Sequence, residues 1–205
     1  MGSAMADVTD KRLLRGAQTR KVVLQRAIDI ASLDSLEGAS FGRLAADTGL
    51  SKAGIQTLFK TKEALQLAIV EYARELFVDH VVQPARSAPR GVARVRALFD
   101  EWVVYVSTPL CAGGCFRAAN LAAFDSRTGP VHDALFRDHR AWLEVIAAEL
   151  RYAVDQGEIA DQDVELAAFQ IDALMCAANT ALQTGDDSAV DKVRRIVEGL
   201  LTAPD

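Results

Sequence analysis

The sequence predicts an all-α chain in two parts, a small three-helix N-terminal unit and a larger helical region. Half of the 205 residues are hydrophobic, which is enough apolar material for one medium domain or two small ones. Ala, Leu, Arg and Glu dominate, whereas alternating runs of β-branched residues are scarce. Caps and glycines divide the chain into segments whose apolar residues recur at helical spacing.

The N-terminal unit contains three predicted helices, over residues 19–33, 41–48 and 52–59. In the first helix an apolar stripe is formed by Val23, Leu24, Ala27, Ile28 and Ala31. Ser40 and Ser51 are expected to cap the next two helices, because a hydroxyl accepts from an unpaired first-turn N–H. Gly49 stands where a helix end favours a left-handed residue.

The second region begins after a long predicted helix over 61–82, which Thr61 caps. It is predicted to contain five helices, over residues 91–107, 115–125, 130–156, 163–184 and 188–201. Breaks that contain proline or glycine separate them. We expect a tag or disordered arm at 1–15, a first domain at 16–62 and a second domain at 63–205.

The net charge of −5 conceals two regions of opposite sign. Residues 11–62 carry ten Lys and Arg against four Asp and Glu, a net charge of +6. The remainder carries thirteen basic and twenty-four acidic residues, a net charge of −11. Basic residues bind phosphate with release of counterions, so we expect nucleic acid as the partner of the first part only.

Several function classes are disfavoured. No apolar run reaches the roughly 20 residues that span a bilayer, and the first residues lack the apolar core of a signal peptide. Three cysteines (Cys111, Cys115 and Cys176) are typical of a reducing cytoplasm. The scattered His80, His132 and His139 make no metal-binding spacing, and no catalytic or nucleotide-binding motif is present. We expect no enzyme activity, metal or cofactor.

Residues 40–59 have the pattern of a helix-turn-helix, in which a supporting helix and a tight turn present a second helix to the major groove. Leu44, Ala45, Leu50, Ile55 and Phe59 form its expected buried set. By pattern alone, two capped helices of an ordinary bundle fit equally well.

The segment 19–65 resembles the DNA-binding domain of TetR/AcrR-type bacterial repressors. The matching residues are Thr19-Arg20, Ala31, Ser40, Leu44-Ala45, Gly49-Leu50-Ser51, Phe59 and Lys62-Glu63-Ala64-Leu65. The chain departs from the family at Gln56-Thr57-Leu58, where many members carry tyrosines that contact phosphate. A Gly-Gly-Cys-Phe segment at 113–116, with 49–54, 62–68 and 130–133, resembles one branch of that family.

The resemblance implies roles at the DNA. Candidates for phosphate contacts are Arg20, Ser40, Ser51, Thr61 and Lys62. Candidates for base edges are Lys52, Gln56 and Thr57, since Lys suits guanine acceptors and Gln suits adenine. Arg43 could reach phosphate or a base, Gly54 lets the helix backbone approach DNA, and Lys11, Arg12 and Arg15 would add non-specific affinity from an arm. Each residue could instead be a solvated charge or a cap.

Family members dimerise through their last two helices and hold a ligand pocket among the middle ones. Residues 167–182 are apolar on more than one face, which suits a dimer helix or a central core helix. The last helix is amphipathic, and the two could form a four-helix interface across a two-fold axis.

Aromatic, Met and amide side chains describe an apolar pocket with sparse polar anchors. The candidates are Trp102, Tyr105, Val106, Cys115, Phe116, Asn120, Phe124, Trp142, Phe169, Met175 and Asn179. Each could equally be core, but a buried amide needs partners that a ligand could supply. Cys115, at a helix N-terminus, is either a sensing thiol or a small packing residue.

The leading hypothesis is a homodimeric cytoplasmic repressor that a small apolar or amphipathic effector releases from a palindromic DNA operator. One alternative is an all-helical small-molecule-binding protein without operator specificity. Another is a redox- or electrophile-sensing repressor that acts through Cys115.

Overall fold

The computed structural model describes residues 3–108 and 110–203, with side chains described from Gly16 onward. The predicted contacts of Lys11, Arg12 and Arg15 therefore lie outside the described side chains. Over the described ranges the secondary structure is helical, which confirms the all-α prediction. The helices are α1 (Ser3–Gly38), α2 (Phe41–Thr48), α3 (Lys52–Phe59), α4 (Lys62–Phe77), α5 (Gln83–Ala85), α6 (Val92–Ser107), α7 (Phe116–Phe124), α8 (Pro130–Asp155), α9 (Val164–Gln183) and α10 (Ala189–Leu200).

The predicted bounds of α6 to α10 agree with the structure to within one residue, because the predicted ranges included cap residues. Two elements differ more. Helix α1 begins at Ser3 instead of residue 19 and runs to Gly38. The predicted 61–82 helix is α4 followed by a π-helical segment (Val78–Val82), which has a wider turn than an α-helix.

A sharp bend interrupts α1 at the break that the sequence predicted. Asp34 (φ −121°, ψ 18°) and Ser35 (φ 59°, ψ 173°) leave the helical region there. The φ of Ser35 is positive, a conformation that costs a non-glycine residue free energy. After the bend, Leu36 and Ala39 turn into the core and lead the chain to α2.

The first core lies among α1, α2, α3 and the start of α4, where Ile28, Leu44, Ile55 and Leu65 have no exposed surface. The second lies among α4 and α6 to α9. Aromatic rings meet there edge to face, with centroids 4.9 Å apart for Phe77 and Trp142. Helix α1 also packs along α7, so the two cores are continuous.

None of the described helices is long and apolar enough to cross a membrane.

Candidate DNA interface and candidate ligand site

The three predicted N-caps are confirmed. The hydroxyl oxygens of Ser40, Ser51 and Thr61 accept hydrogen bonds of 3.0–3.2 Å from backbone N–H groups three residues later. All three caps are exposed. Because each oxygen accepts within its own helix, its hydroxyl proton stays available for an external acceptor such as a phosphate oxygen. Gly49 adopts the expected left-handed conformation, with φ 70°.

Helix α3 buries one face and presents the other to solvent. Ile55 and Phe59 point into the core, and Lys52, Gln56 and Thr57 are exposed. The Thr57 hydroxyl donates to the carbonyl of Ala53 at 2.8 Å, so its lone pairs face outward as acceptors. A Cβ at Gly54 would lie 3.0 Å from the capping oxygen of Ser51, so the small residue also protects the cap.

Lys60 extends this face and was missed in the prediction. With Ala53, Gln56 and Thr57 it lines a shallow open depression on the exposed side of α3. Its backbone (φ 66°, ψ −62°) forms a strained γ-turn, closed by Thr61 N–H donating to the Phe59 carbonyl at 2.8 Å. The spacing 52, 56, 60, two steps of four residues, was the available signal.

Internal ion pairs neutralise the four acidic residues of the basic segment. Arg26 bonds to Asp47 at 2.7 Å and lies 3.8 Å from Asp29. Arg43 pairs with Asp34, and Lys62 pairs with Glu37, both at 2.5 Å. Arg43 and Lys62 would therefore have to share or exchange these partners to reach DNA.

Other cations of the segment have no carboxylate partner among the described side chains. The guanidinium of Arg20 stacks on the Phe59 ring at 4.5 Å, which ties α1 to the end of α3. Lys21, Lys52 and Lys60 are exposed. The free positive charge of this unit thus lies on α1 and α3.

The structure places most predicted ligand residues in the interior, and four of them line one cavity in the described part of the chain. Trp102, Cys115, Trp142 and Met175 line it together with three residues that were not predicted: Arg117, Asp172 and Cys176. Its volume of about 10 Å³ has room for a single water molecule. The other apolar candidates are buried but do not line this cavity: Tyr105, Val106, Phe116 and Phe124.

The structure corrects the prediction that Phe169 lines an internal pocket. Its side chain is 60 % exposed on α9, so it does not face the interior. The segment 167–182 is apolar on more than one face, and the sequence alone did not identify the face that packs inward. Ile171 and Met175 point into the core, and Leu166 is exposed beside Phe169.

The two predicted amide anchors are already bonded to the protein. The Oδ1 of Asn120 accepts from Leu36 N–H at 2.7 Å, and its Nδ2 donates to the carbonyls of Ala31 (3.0 Å) and Phe116 (2.8 Å). The Oδ1 of Asn179 accepts from Cys115 N–H at 2.8 Å. The amides therefore satisfy backbone groups, and in Asn120 no donor is left for a ligand.

Cys111 and Cys115 are buried, and Cys176 is partly buried. Burial raises the pKa of Cys111 to about 12, and burial followed by the nearby Asp172 raises the pKa of Cys176 to about 12. Both are protonated at neutral pH and are therefore poor nucleophiles. Cys115 forms the N-cap of α7 and is only 5 % exposed.

A polar cluster that the sequence did not predict lies beside the cavity. Arg117 donates to Asp138 at 3.2 Å, and its guanidinium stacks on Phe77 at 4.3 Å. Asp172 accepts from the indole N–H of Trp142 at 2.9 Å and lies 2.8 Å from Nε2 of His139. Among the residues described, no group of three or more His, Cys, Asp and Glu could hold a metal ion.

The sequence of residues 91–197, just over half of the chain, matches the family described as tetracyclin repressor-like, C-terminal domain. The chain belongs to the TetR family. Curated protein sequences give no match.

Solved structures of TetR-family proteins share the fold over nearly the whole chain. A regulator from Chloroflexus aurantiacus J-10-FL is 23 % identical, with a TM-score of 0.79, and the match covers 93 % of this chain and 99 % of that one. A regulator from Agrobacterium tumefaciens is 16 % identical, with a TM-score of 0.82 and coverage of 91 % and 100 %. AibR, solved with isovaleryl coenzyme A and operator DNA, is 20 % identical, with a TM-score of 0.72 and coverage of 90 % and 99 %.

In this TetR-family chain the Gly-Gly segment fits tightly between α1 and α9. A Cβ at Gly113 would lie 2.2 Å from the Ser32 carbonyl oxygen, and one at Gly114 would lie 2.4 Å from Oδ1 of Asn179. Gly113 N–H also donates to the Ser32 hydroxyl at 2.9 Å. Only residues without a side chain fit here, so the loop joins α1 to α9. Membership of the Gly-Gly-Cys-Phe branch stays a prediction.

Proposed function

We propose that this protein is a homodimeric TetR-type repressor, cytoplasmic, whose α3 helices bind a palindromic operator and whose second region binds a small apolar or amphipathic effector. The domain boundary lies near residue 62, where the α3–α4 turn ends. The exposed face of α3, with unpaired lysines at both ends, carries this proposal.

The distribution of charge supports DNA binding. The acidic residues near α3 are paired internally, so the phosphates meet the net positive charge of Lys52 and Lys60. The exposed caps Ser40, Ser51 and Thr61 lie at helix N-termini, which favour anions. AibR was solved with operator DNA, so the shared fold is compatible with this use.

Exposed apolar side chains on the last two helices support the dimer. Leu166 and Phe169 on α9 are 52 % and 60 % exposed, and Ile196 on α10 is 50 % exposed. Large apolar side chains that stay in water on two adjacent helices are typical of an interface. A dimer would also place two α3 helices for two half-sites.

The contacts between α1 and the second region support effector control. Asn120 on α7 bonds to backbone groups on both sides of the α1 bend, and the 110–115 loop bonds to Gln25, Asp29 and Ser32. A ligand that binds one arrangement of α7 more tightly would shift the position of α1, and with it the spacing of the two α3 helices.

A mobility-shift assay with the promoter of its own gene tests the proposal. The double variant Lys52→Ala/Gln56→Ala should lose specific binding at fixed salt while keeping its helical content and dimeric state. The double variant Arg151→Ala/Gln156→Ala, on the exposed far end of α8, is the matched control and should bind like the wild type. Unchanged specific binding by the α3 variant would reject α3 as the helix that reads the operator. No specific binding by the wild type would favour a ligand-binding protein without operator specificity.

A further inference from the structure

Arg117 is the most unusual polar residue in the interior. It is 7 % exposed, yet its Nε is the one fully buried side-chain nitrogen or oxygen without a hydrogen-bond partner in the described part of the chain. Within the described residues its guanidinium donates one side-chain hydrogen bond, to Asp138 at 3.2 Å. A planar guanidinium offers paired donors that match a carboxylate, and here that pairing is unused. A buried charge with an unmade hydrogen bond is costly, so the site favours a further acceptor.

Two carboxylates lie near Arg117, but only Asp138 bonds to it. Asp172 also borders the cavity, but its oxygens are engaged by the Trp142 indole and by His139. Cys176 is a neutral thiol, since burial raises its pKa to about 12. The N-terminus of α7 at Cys115 carries no side-chain cap, and its partial positive charge also favours an anion.

Apolar side chains surround Arg117 on the cavity side. Trp102, Trp142 and Met175 line the cavity, and the Phe77 ring covers one face of the guanidinium. These side chains exclude water, which strengthens a bond between the guanidinium and a carboxylate.

Asp138 connects this cavity to the outside. It bonds Arg117 on the inner side and also lines a groove of about 410 Å³ between α4 and α8. The groove is lined further by Leu67, Val70, Glu71, Arg74, Ala134, Arg137 and Ala141, and Arg74 pairs with Glu71. Asp138 therefore lies between this groove and Arg117.

We propose that Arg117 binds the carboxylate of a small monocarboxylic acid with an apolar body, which replaces Asp138 as the partner of the guanidinium. The cavity as it stands holds about one water, so the apolar body lies in the α4–α8 groove, against Leu67, Val70 and Ala134. This inference rests on the proposed effector site and names the chemical class of the effector. Arg117 lies on α7, one helical turn before Asn120. Replacing Asp138 by the ligand therefore acts on the helix whose Asn120 bonds to the α1 bend.

Calorimetry on the full-length protein without DNA tests the inference. The probes are butyrate, hexanoate, benzoate and phenylacetate, each compared with its uncharged amide. At least one acid should bind about tenfold or more tightly than its amide, since a charge-assisted bidentate pair is the difference between them. Arg117→Met should abolish that preference, whereas Arg151→Met, at an exposed arginine on α8, should keep it.

A second variant keeps the guanidinium in place. Asp138→Asn removes the internal competitor, so the acid should bind about tenfold more tightly while its amide is unchanged. No preference for any acid, or the same preference in Arg117→Met, would overturn the inference and would indicate that a water alone satisfies Nε. In that case operator binding by the wild type would still support the proposed function. Acid binding without any effect on operator affinity would instead leave the inference standing and reject effector control.

Discussion

Asn120 carries a connection that no other single side chain in the described residues makes. The bend in α1 lies between the Ala31 carbonyl and the Leu36 N–H, and the amide of Asn120 bonds to both. A buried backbone group without a partner costs about as much as a lost hydrogen bond, so the amide makes the bend possible.

Asn120→Asp tests this role. The aspartate can still accept from Leu36 N–H, but it places an acceptor against the carbonyls of Ala31 and Phe116. We expect a loss of about 2–4 kcal/mol in the free energy of unfolding, from two lost donor bonds and a buried charge. Urea unfolding measures it. Asn179→Asp is the matched control and should cost less, because Oδ1 of Asn179 accepts from Cys115 N–H and an aspartate oxygen can still accept that bond.

Gly113→Ala tests the close contact between the loop and α1. The new Cβ would lie 2.2 Å from the Ser32 carbonyl oxygen, a backbone atom that cannot turn aside. We expect about 1–3 kcal/mol of destabilisation, as in other overpacked sites. Gly199→Ala on α10, where nothing lies within 4 Å, should be neutral or stabilising. Equal thermal stability of the two variants would refute the steric account.

The sequence predicted the buried state of Asn120 and Asn179, but not their partners. A buried amide needs hydrogen bonds, and composition cannot show whether a ligand or the backbone supplies them. For the same reason, the burial of Arg117 could not be predicted from the sequence. An arginine usually lies at the surface, and only the packing of α7 against α4 and α8 places this one in the interior.

The helices themselves were the most predictable elements, because caps and turn glycines are local signals. Ser40, Ser51 and Gly49 acted as the sequence indicated. The face of α9 that packs inward was harder to predict. A helix that is apolar on several faces has no distinctive inner side, and so Phe169 was predicted to point inward when it is exposed.

Phe169→Glu tests the outer face of α9. If α9 and α10 form the dimer interface, a charge at its centre should shift the protein from dimer to monomer at micromolar concentration. Sedimentation velocity measures the change. Val104→Glu is the control, because Val104 on α6 is 58 % exposed but lies outside α9 and α10. A Phe169→Glu protein that remains dimeric would place the interface elsewhere.

Glu37 adds an ion-pair link between the two parts of the molecule. This carboxylate at the end of α1 bonds to Lys62 of α4 and to Arg127 after α7. The hydrogen bond from Lys62, with smaller contributions from Gln66 and Arg127, lowers the pKa of Glu37 below its ordinary 4.5 despite some burial. The folded state therefore binds the proton of Glu37 less tightly than the unfolded state does.

Glu37→Gln should lower stability only where the carboxylate is ionised. Because the folded-state pKa is depressed, the contribution is present above 4.5 and is lost as the pH falls through the folded value. The group is partly exposed, so we expect at most about 1 kcal/mol at neutral pH. Urea unfolding of wild type and variant should differ at neutral pH and converge in acid. A constant difference at all pH values would refute the ionic origin.

The structure shows which charged residues of the basic segment pair with one another. The +6 of residues 11–62 was predicted from sequence, but its arrangement was not, because pairing depends on which residues meet in space. Arg26, Arg43 and Lys62 bind acidic neighbours, and the free charge lies on α1 and α3.

Selection of bound DNA from a random pool tests the central claim most directly. If two α3 helices of a dimer read the operator, the enriched sequences should form an inverted repeat with half-sites about one helical turn, or 34–36 Å, apart. Lys52→Ala/Gln56→Ala should enrich no common sequence under the same salt. Enrichment of the same repeat by that variant, or no enrichment by the wild type, would contradict the account.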